Sequence, residues 1–197
     1  MNGVEEEVAA VAARLVVEEG MEYAAAKRRA GRDFGGRIEL PSNEAVEDAV
    51  LEHIALFCAE TQPVELRALR EVALLWMERL AEFRPYLSGA VWRGTATRWS
   101  AVHLDLYCDD PKAAEIALIN AGVDYDTGVM DRSGPRGREP MSVLSVSSPS
   151  RALGEPVTVH LLLRDFDEQR GALKPDARGR TWRGDLAALR QRMEGLA

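Results

Sequence analysis

The sequence lacks a long apolar run. None of its stretches approaches the roughly 18 consecutive apolar residues that a membrane-spanning helix needs, and charged residues make up 29% of the 197 positions. The N-terminus, MNGVEEEVAAVAARL, carries acidic residues where a secretory signal peptide carries basic ones. We therefore expect a cytoplasmic protein with no membrane partner.

Cysteine is scarce as well. The chain has two cysteines, Cys58 and Cys108, which lie far apart in sequence. This number and spacing exclude a disulfide framework and a zinc knuckle. We expect two reduced, buried thiols.

Clustered positive charge is also missing. The net charge is −7, from 25 basic and 32 acidic side chains, and the acidic excess falls in residues 1–87. Proteins that bind long nucleic acids neutralise phosphates with clustered lysine and arginine. We therefore do not expect an extended nucleic-acid surface. Short basic groups that could hold a small anion are Lys27 to Arg29, Arg132, Arg136 and Arg138, and Arg178, Arg180 and Arg183.

The apolar pattern changes its period near residue 86. Before that point, apolar residues such as Val4, Val8, Val11 and Leu15 recur at helical spacing, which predicts amphipathic helices. After Pro85, the pattern predicts strands near residues 88–93, 101–108, 123–130, 140–147 and 157–164, helices at 111–121 and 184–195, and a loop at 131–139. We thus predict an α+β fold, with a helical segment over 1–86 and a mixed-sheet domain with flanking helices over 87–197.

Residues 89–104, GAVWRGTATRWSAVHL, are the most informative stretch of the chain. They align without a gap with the signature of the minimal nucleotidyltransferases of the DNA polymerase beta type, in which a Gly-Ser pair precedes a second glycine and then Ser-Asp-x-Asp. The matching positions are Gly89, Gly94, Ala96, Ser100, Val102 and Leu104. Ala90 replaces the serine of the pair, and Ala101 and His103 replace the aspartates. The chain therefore resembles a nucleotidyltransferase that is degenerate in its metal-binding aspartates.

The resemblance implies a nucleotide or phosphate site at the turn. In the family, N–H groups of the Gly-Ser turn bind a triphosphate, and two aspartates with a third carboxylate from a neighbouring strand hold Mg²⁺. The ligand-binding residues that this implies here are Gly89, Arg93, Gly94, Thr95, Arg98 and Ser100. The third-carboxylate strand would be 157–164, whose middle residue is His160. Because Mg²⁺ prefers oxygen ligands, neither Mg²⁺ nor another cofactor is expected.

A shifted metal site is the alternative that retains catalysis. His103 and Asp105 alternate onto one face of their predicted strand, and His160 would lie on a neighbouring strand. Imidazole and carboxylate suit Zn²⁺ or Mn²⁺ better than Mg²⁺. In this alternative, His103, Asp105 and His160 are the metal ligands and the catalytic residues of an active nucleotidyltransferase. Otherwise the two histidines are ordinary sheet residues.

The leading hypothesis is a catalytically degenerate nucleotidyltransferase-fold protein that binds a nucleotide, another phosphate ligand or a protein partner in a regulatory role. The second hypothesis is an active enzyme with the shifted metal site. The third is a helical interaction protein that has no ligand site. Fold alone does not choose among them, whereas the spatial grouping of Ala101, His103, Asp105 and His160 does.

Overall fold

The chain has an α+β fold, as the sequence predicts. The computed structural model describes residues 3–35, 38–130, 140–176 and 179–195. Within this described part, no helix is long and apolar enough to cross a membrane.

The chain divides into two compact units. The first contains residues 1–66 and 94–100, and the second contains 67–93 and 101–197. The segment 94–100 groups with the helices, and most of the fourth helix groups with the sheet. The domain boundary at residue 86 stays a prediction.

The first unit is helical. It contains α1 (Gly3–Glu19), α2 (Tyr23–Asp33), α3 (Asn43–Phe57) and the first residues of α4 (Gln62–Arg79). Ser42 caps α3, because its side chain accepts a hydrogen bond from the Ala45 N–H. The apolar stripes of the first three helices share one core, whose fully buried members include Val8, Ala12, Ala26, Val46 and Val50. The predicted helices are confirmed.

The second unit contains a mixed sheet. In the described residues its strands are β1 (Tyr86–Ser88), β2 (Val102–Tyr107), β3 (Asp126–Met130), β4 (Met141–Ser150), β5 (Glu155–Arg164) and β6 (Arg183–Gly184), in the order β3-β4-β5-β2-β1-β6. Strands β2 and β5 run parallel, and the other described neighbours are antiparallel. The predicted mixed sheet is confirmed.

Alternation along the strands gives this sheet an apolar face and a polar face. Leu87, Leu104, Leu161 and Leu144 lie in direct register on four neighbouring strands, and all are buried. Two helices flank the sheet: α6 (Pro111–Asn120), which contacts β5, and α7 (Leu186–Glu194), which contacts β1 and β6. The leucine row lies in the core of the second unit. The opposite face, here called the polar face, carries polar side chains along its centre and a small buried apolar cluster on β4 and β5, formed by Met141, Val143 and Leu162.

One predicted strand is wrong. Residues 88–93 were expected to be extended, but β1 ends at Ser88, and Gly89–Arg93 form a short helix, α5. Gly89 has a φ of +70°, which ends the extended backbone. The predicted strand at 123–130 begins later, at Asp126, and the predicted loop at 131–139 lies outside the described residues.

Candidate functional site

A row of polar side chains crosses the polar face of the sheet. The strand register pairs Ser88 with His103, His103 with His160, and His160 with Ser145. Directly paired residues project from the same face, so these side chains lie next to one another. The register adds one residue at each end. The polar row, from β6 to β3, is Arg183, Ser88, His103, His160, Ser145 and Asp126.

Two stacked imidazoles form the centre of the polar row. The ring centroids of His103 and His160 are 5.2 Å apart, and the ring planes differ by 17°. The Oγ atom of Ser145 lies 2.8 Å from Nδ1 of His160, which is a hydrogen bond. Ser88, His103, His160 and Ser145 are all half-buried. Neighbouring strands therefore hold imidazole and hydroxyl groups in a fixed, partly accessible line.

Gly89 makes room for His103. A Cβ atom added at Gly89 would lie 2.9 Å from Nδ1 of His103. The positive φ of Gly89 also belongs to a backbone region that other residues rarely adopt. Gly89, which the resemblance assigns to a phosphate turn, thus also leaves the space that the His103 ring occupies.

Substituting Gly89 tests this packing. We expect Gly89→Ala to lower the free energy of unfolding by about 1–2 kcal/mol for the left-handed backbone alone, with a further loss from displacing His103. Gly154→Ala is the matched control, because Gly154 also has a φ of +70° but nothing lies within 4 Å of its added Cβ. Equal losses in urea denaturation of the two variants would contradict the contact between Gly89 and His103.

Asp105 lies beside the polar row and forms a buried ion network. Its carboxylate is fully buried, with Oδ1 2.5 Å from Nε of Arg164 and Oδ2 3.2 Å from Nη1 of Arg183. Arg164 also reaches Glu168 at 3.3 Å, and Arg183 donates a hydrogen bond to the Tyr107 hydroxyl at 2.9 Å. Burial, with the Asp105 carboxylate, raises the pKa of the Tyr107 phenol. Asp105 therefore forms ion pairs with two guanidinium groups.

The structure brings together two of the three residues predicted to be metal ligands. His103 and His160 are neighbours, whereas the carboxylate of Asp105, on the same face, is bonded to arginines. Across the described residues, no group of three or more His, Cys, Asp or Glu side chains is placed to hold a metal ion. The shifted metal site stays a prediction.

The later residues of the predicted phosphate turn lie in the first unit, where they make internal contacts. The side chain of Gln62 donates hydrogen bonds to the carbonyls of Gly94 and Ala96, at 3.0 and 2.9 Å. Thr95 is 1% exposed, and its hydroxyl accepts a hydrogen bond from Tyr23 at 3.4 Å. These contacts anchor the segment to the helices, which is a structural role that the resemblance does not include.

Arg98 and Ser100 end the same segment. The backbone N–H of Arg98 donates a hydrogen bond to Glu65, and its guanidinium lies over the Trp99 ring at 5.3 Å. The hydroxyl of Ser100 accepts a hydrogen bond from the Thr97 N–H at 3.1 Å. Ligand binding by these residues remains a prediction, beside the local contacts that they already make.

Arg93 ends α5 in the second unit and faces the C-terminal segment. Its guanidinium lies 5.4 Å from the centre of the Trp182 ring. The neighbouring Trp92 is 3% exposed, and its Nε1 donates a hydrogen bond to the Thr181 carbonyl at 2.8 Å. These two tryptophans dock the C-terminal segment onto α5. Arg178, another predicted anion contact, lies outside the described residues.

Sequence reasoning missed three residues that shape the site, Ser88, Ser145 and Arg164, and it predicted Arg183 as a possible anion contact rather than as a partner of Asp105. The alternation in β4 could have placed Ser145 on the polar face, because its two neighbours, Leu144 and Val146, are apolar and buried and point to the other face. Its pairing with His160 depends on strand register, which the pattern does not carry. The arginines are distant in sequence from Asp105, so no local signal connects them.

Comparisons with known proteins give a limited likeness. No family model matches the chain, and no curated protein matches it. Solved structures of the Cid1 poly(U) polymerase do match. The one with MgGTP bound is 12% identical, covers 57% of this chain and 38% of that chain, and has a TM-score of 0.37. The one with the UTP analogue UMPNPP is 14% identical, covers 57% and 36%, and has a TM-score of 0.33. This chain spans about a third of the length of these structures.

Proposed function

We propose that this chain is a nucleotidyltransferase-type protein that binds a nucleotide, or another phosphate-bearing ligand, on the polar row and has lost two-metal catalysis. The observation that carries this proposal is the strand register, which places His103 directly beside His160. In the family signature, these two positions belong to carboxylates. We therefore assign the ligand-binding site to the polar face, where imidazoles occupy the positions that carry carboxylates in the family.

The path of the chain supports the family assignment. The stretch that resembles the signature leaves β1 at Gly89 and returns as β2, antiparallel to β1 in the same sheet. The strand that the resemblance expects to carry the third carboxylate is β5, the parallel neighbour of β2. His160 lies at the expected place in that strand.

The side chains of the polar row suit phosphate. Hydroxyl O–H and imidazole N–H groups donate hydrogen bonds to phosphate oxygens. The guanidinium of Arg183, at one end of the row, is paired with Asp105 and so adds little net charge. They do not suit Mg²⁺, because Ala101, His103 and His160 supply no carboxylate oxygen. Asp126 lies at the far end of the row on β3, and the carboxylate of Asp105, beside the row, already neutralises two arginines.

Calorimetric titration with inorganic triphosphate in EDTA tests the site. We expect binding by the wild type and an affinity at least about tenfold lower for His160→Ala, the usual loss for one hydrogen bond to a charged group. Thr158→Ala is the matched control, because Thr158 is exposed on the same strand and the same face. If the wild type does not bind triphosphate or ATP, the proposal is wrong and a protein partner takes its place.

Restoring the signature tests the lost chemistry. We expect the combined Ala90→Ser, Ala101→Asp and His103→Asp variant to fold, because Ala101 and His103 are half-buried rather than sealed from water. It should gain Mg²⁺ affinity measurable by calorimetry, while the wild type shows none. A native-like variant without Mg²⁺ binding would show that the face no longer has the family geometry.

A second candidate is a transition-metal site at the two histidines. It is favoured by the two imidazoles on adjacent strands, with centroids 5.2 Å apart, since imidazole is a preferred ligand of Zn²⁺. In this case Zn²⁺ or Mn²⁺ binds in titrations, and His103→Ala abolishes the binding. Metal binding that survives His103→Ala would exclude this candidate.

A further inference from the structure

A cleft of about 270 Å³ opens in the second unit beside the polar row. Its apolar lining includes Met77, Pro85 and Leu186, and its polar lining includes Arg84, Tyr86 and Gln169. We propose that this cleft holds the base of a nucleotide whose phosphates lie on the polar row. This inference rests on the proposed function and names the ligand class of the same site as a nucleotide, rather than a bare phosphate or polyphosphate.

The cleft and the polar row share strand β1. Tyr86 lines the cleft, and Ser88 belongs to the row, two residues further along the same strand and on the same face. Two strand residues span about 6.6 Å. A nucleotide separates its base from its phosphates by one ribose, which bridges a comparable distance. One ligand can therefore occupy both places.

Gln169 supplies the hydrogen-bonding pattern that a base requires. Its Nε2 donates a hydrogen bond to the Tyr86 hydroxyl at 3.2 Å, and its Oε1 accepts one from Arg84 at 3.4 Å. These two bonds fix the orientation of the amide. An amide has two N–H donors and two lone pairs, so the described bonds use half of its capacity. An oriented amide with a remaining donor and acceptor matches the edge of a nucleobase.

Arg84 adds a planar group at the rim of the cleft. Its φ is +47°, the only positive value among the described residues other than glycine, and such a backbone costs energy that glycine would avoid. The guanidinium lies over the Phe166 ring at 4.9 Å. A guanidinium close to an aromatic ring is a planar group on which a base can stack.

The charges around the cleft favour a neutral group. Asp185 lines it together with Arg84, so the two charges oppose each other. The side chain of Asp185 also caps α7 by accepting a hydrogen bond from the Ala188 N–H at 2.9 Å. A phosphate would meet this carboxylate, whereas a base would not suffer the repulsion. The cleft is thus suited to the base and the polar row to the phosphates.

Titration of inorganic triphosphate and of ATP, GTP, CTP and UTP in EDTA tests the proposal. We expect at least one nucleotide to bind the wild type about tenfold or more tightly than inorganic triphosphate, as one paired amide can provide. Gln169→Leu should lower the affinity for that nucleotide to the affinity for triphosphate, and it should leave the affinity for triphosphate unchanged. Arg170→Leu, an exposed neighbour, should change neither.

The outcomes separate the two proposals. If triphosphate binds but no nucleotide binds more tightly, the base cleft is wrong and the proposed function stands. The same conclusion holds if Gln169→Leu keeps the full nucleotide preference. If neither triphosphate nor any nucleotide binds, both proposals are wrong. Thermal unfolding of Gln169→Leu shows whether the variant has lost a ligand contact or has lost its fold. His160→Ala is a second variant, which should lower the affinities for triphosphate and for the nucleotide by the same factor.

Discussion

Replacing Asp105 with alanine should lower the free energy of unfolding by about 3–5 kcal/mol. The carboxylate is fully buried, and it is the shared partner of Arg164 and Arg183. Removing it leaves the largely buried Arg183 without this counter-charge and leaves Arg164 with its contact to Glu168. Breaking a buried ion pair from one side has a cost of this size. Urea denaturation of the purified protein measures the loss.

The control for Asp105 is an exposed acid of the same sheet. Asp126 lies on β3 and is exposed, so Asp126→Ala should change the free energy of unfolding by less than about 0.5 kcal/mol. Asp105→Asn should be nearly as damaging as Asp105→Ala, because the amide keeps the shape and loses the charge. A loss below about 1 kcal/mol in Asp105→Ala would show that the arginines have other partners.

Replacing Gly184 with alanine should lower the free energy of unfolding by about 3 kcal/mol, at the upper end of the usual range for overpacking. An added Cβ would lie 2.0 Å from the six-membered ring of Trp92. The ring cannot easily move, because its Nε1 is hydrogen-bonded to the Thr181 carbonyl and the Arg192 guanidinium lies 3.7 Å from its centre. Denaturant unfolding followed by tryptophan fluorescence measures both the loss and the disturbed ring.

Gly128 provides the matched control for Gly184. It also lies in an edge strand, but nothing is within 4 Å of its added Cβ. Gly128→Ala should therefore be neutral or slightly stabilising, since alanine loses less conformational entropy on folding. Equal free energies of unfolding for Gly184→Ala and Gly128→Ala would show that β6 does not pack against Trp92. The position of Arg183 at the end of the polar row, which depends on β6, would then be wrong as well.

Residue patterns were sufficient to predict the face of the site. Strict alternation in VHLDLY predicts that His103 and Asp105 lie on the same side of β2, because a strand has a two-residue period. The place of His160 on a neighbouring strand was implied by the family resemblance, since alternation alone carries no register. In the structure, β2 pairs with β5 and His160 lies directly beside His103.

The partners of Asp105 could not be predicted from the sequence. Arg183 reaches it only because β6 pairs with β1 at the edge of the sheet, and a two-residue strand leaves almost no pattern in the sequence. The helix α5 was missed for a related reason. Its five residues are too few to show a helical period. The sequence also does not reveal that Gly89 has a positive φ, because the same residues fit a strand pattern.

The most direct test of metal-free phosphate recognition compares ATP binding to the wild type in EDTA and in excess Mg²⁺. The centre of the polar row offers hydroxyl and imidazole donors, and its carboxylate, Asp126, lies at the far end on β3. ATP should therefore bind in EDTA, and Mg²⁺ should leave the affinity unchanged or weaken it by masking phosphate charge. Isothermal titration calorimetry under the two conditions, at equal ionic strength, gives both dissociation constants. The predicted result is a complex that does not require metal. A complex that forms only with Mg²⁺ would contradict the account, because it would require metal ligands that His103 and His160 do not provide.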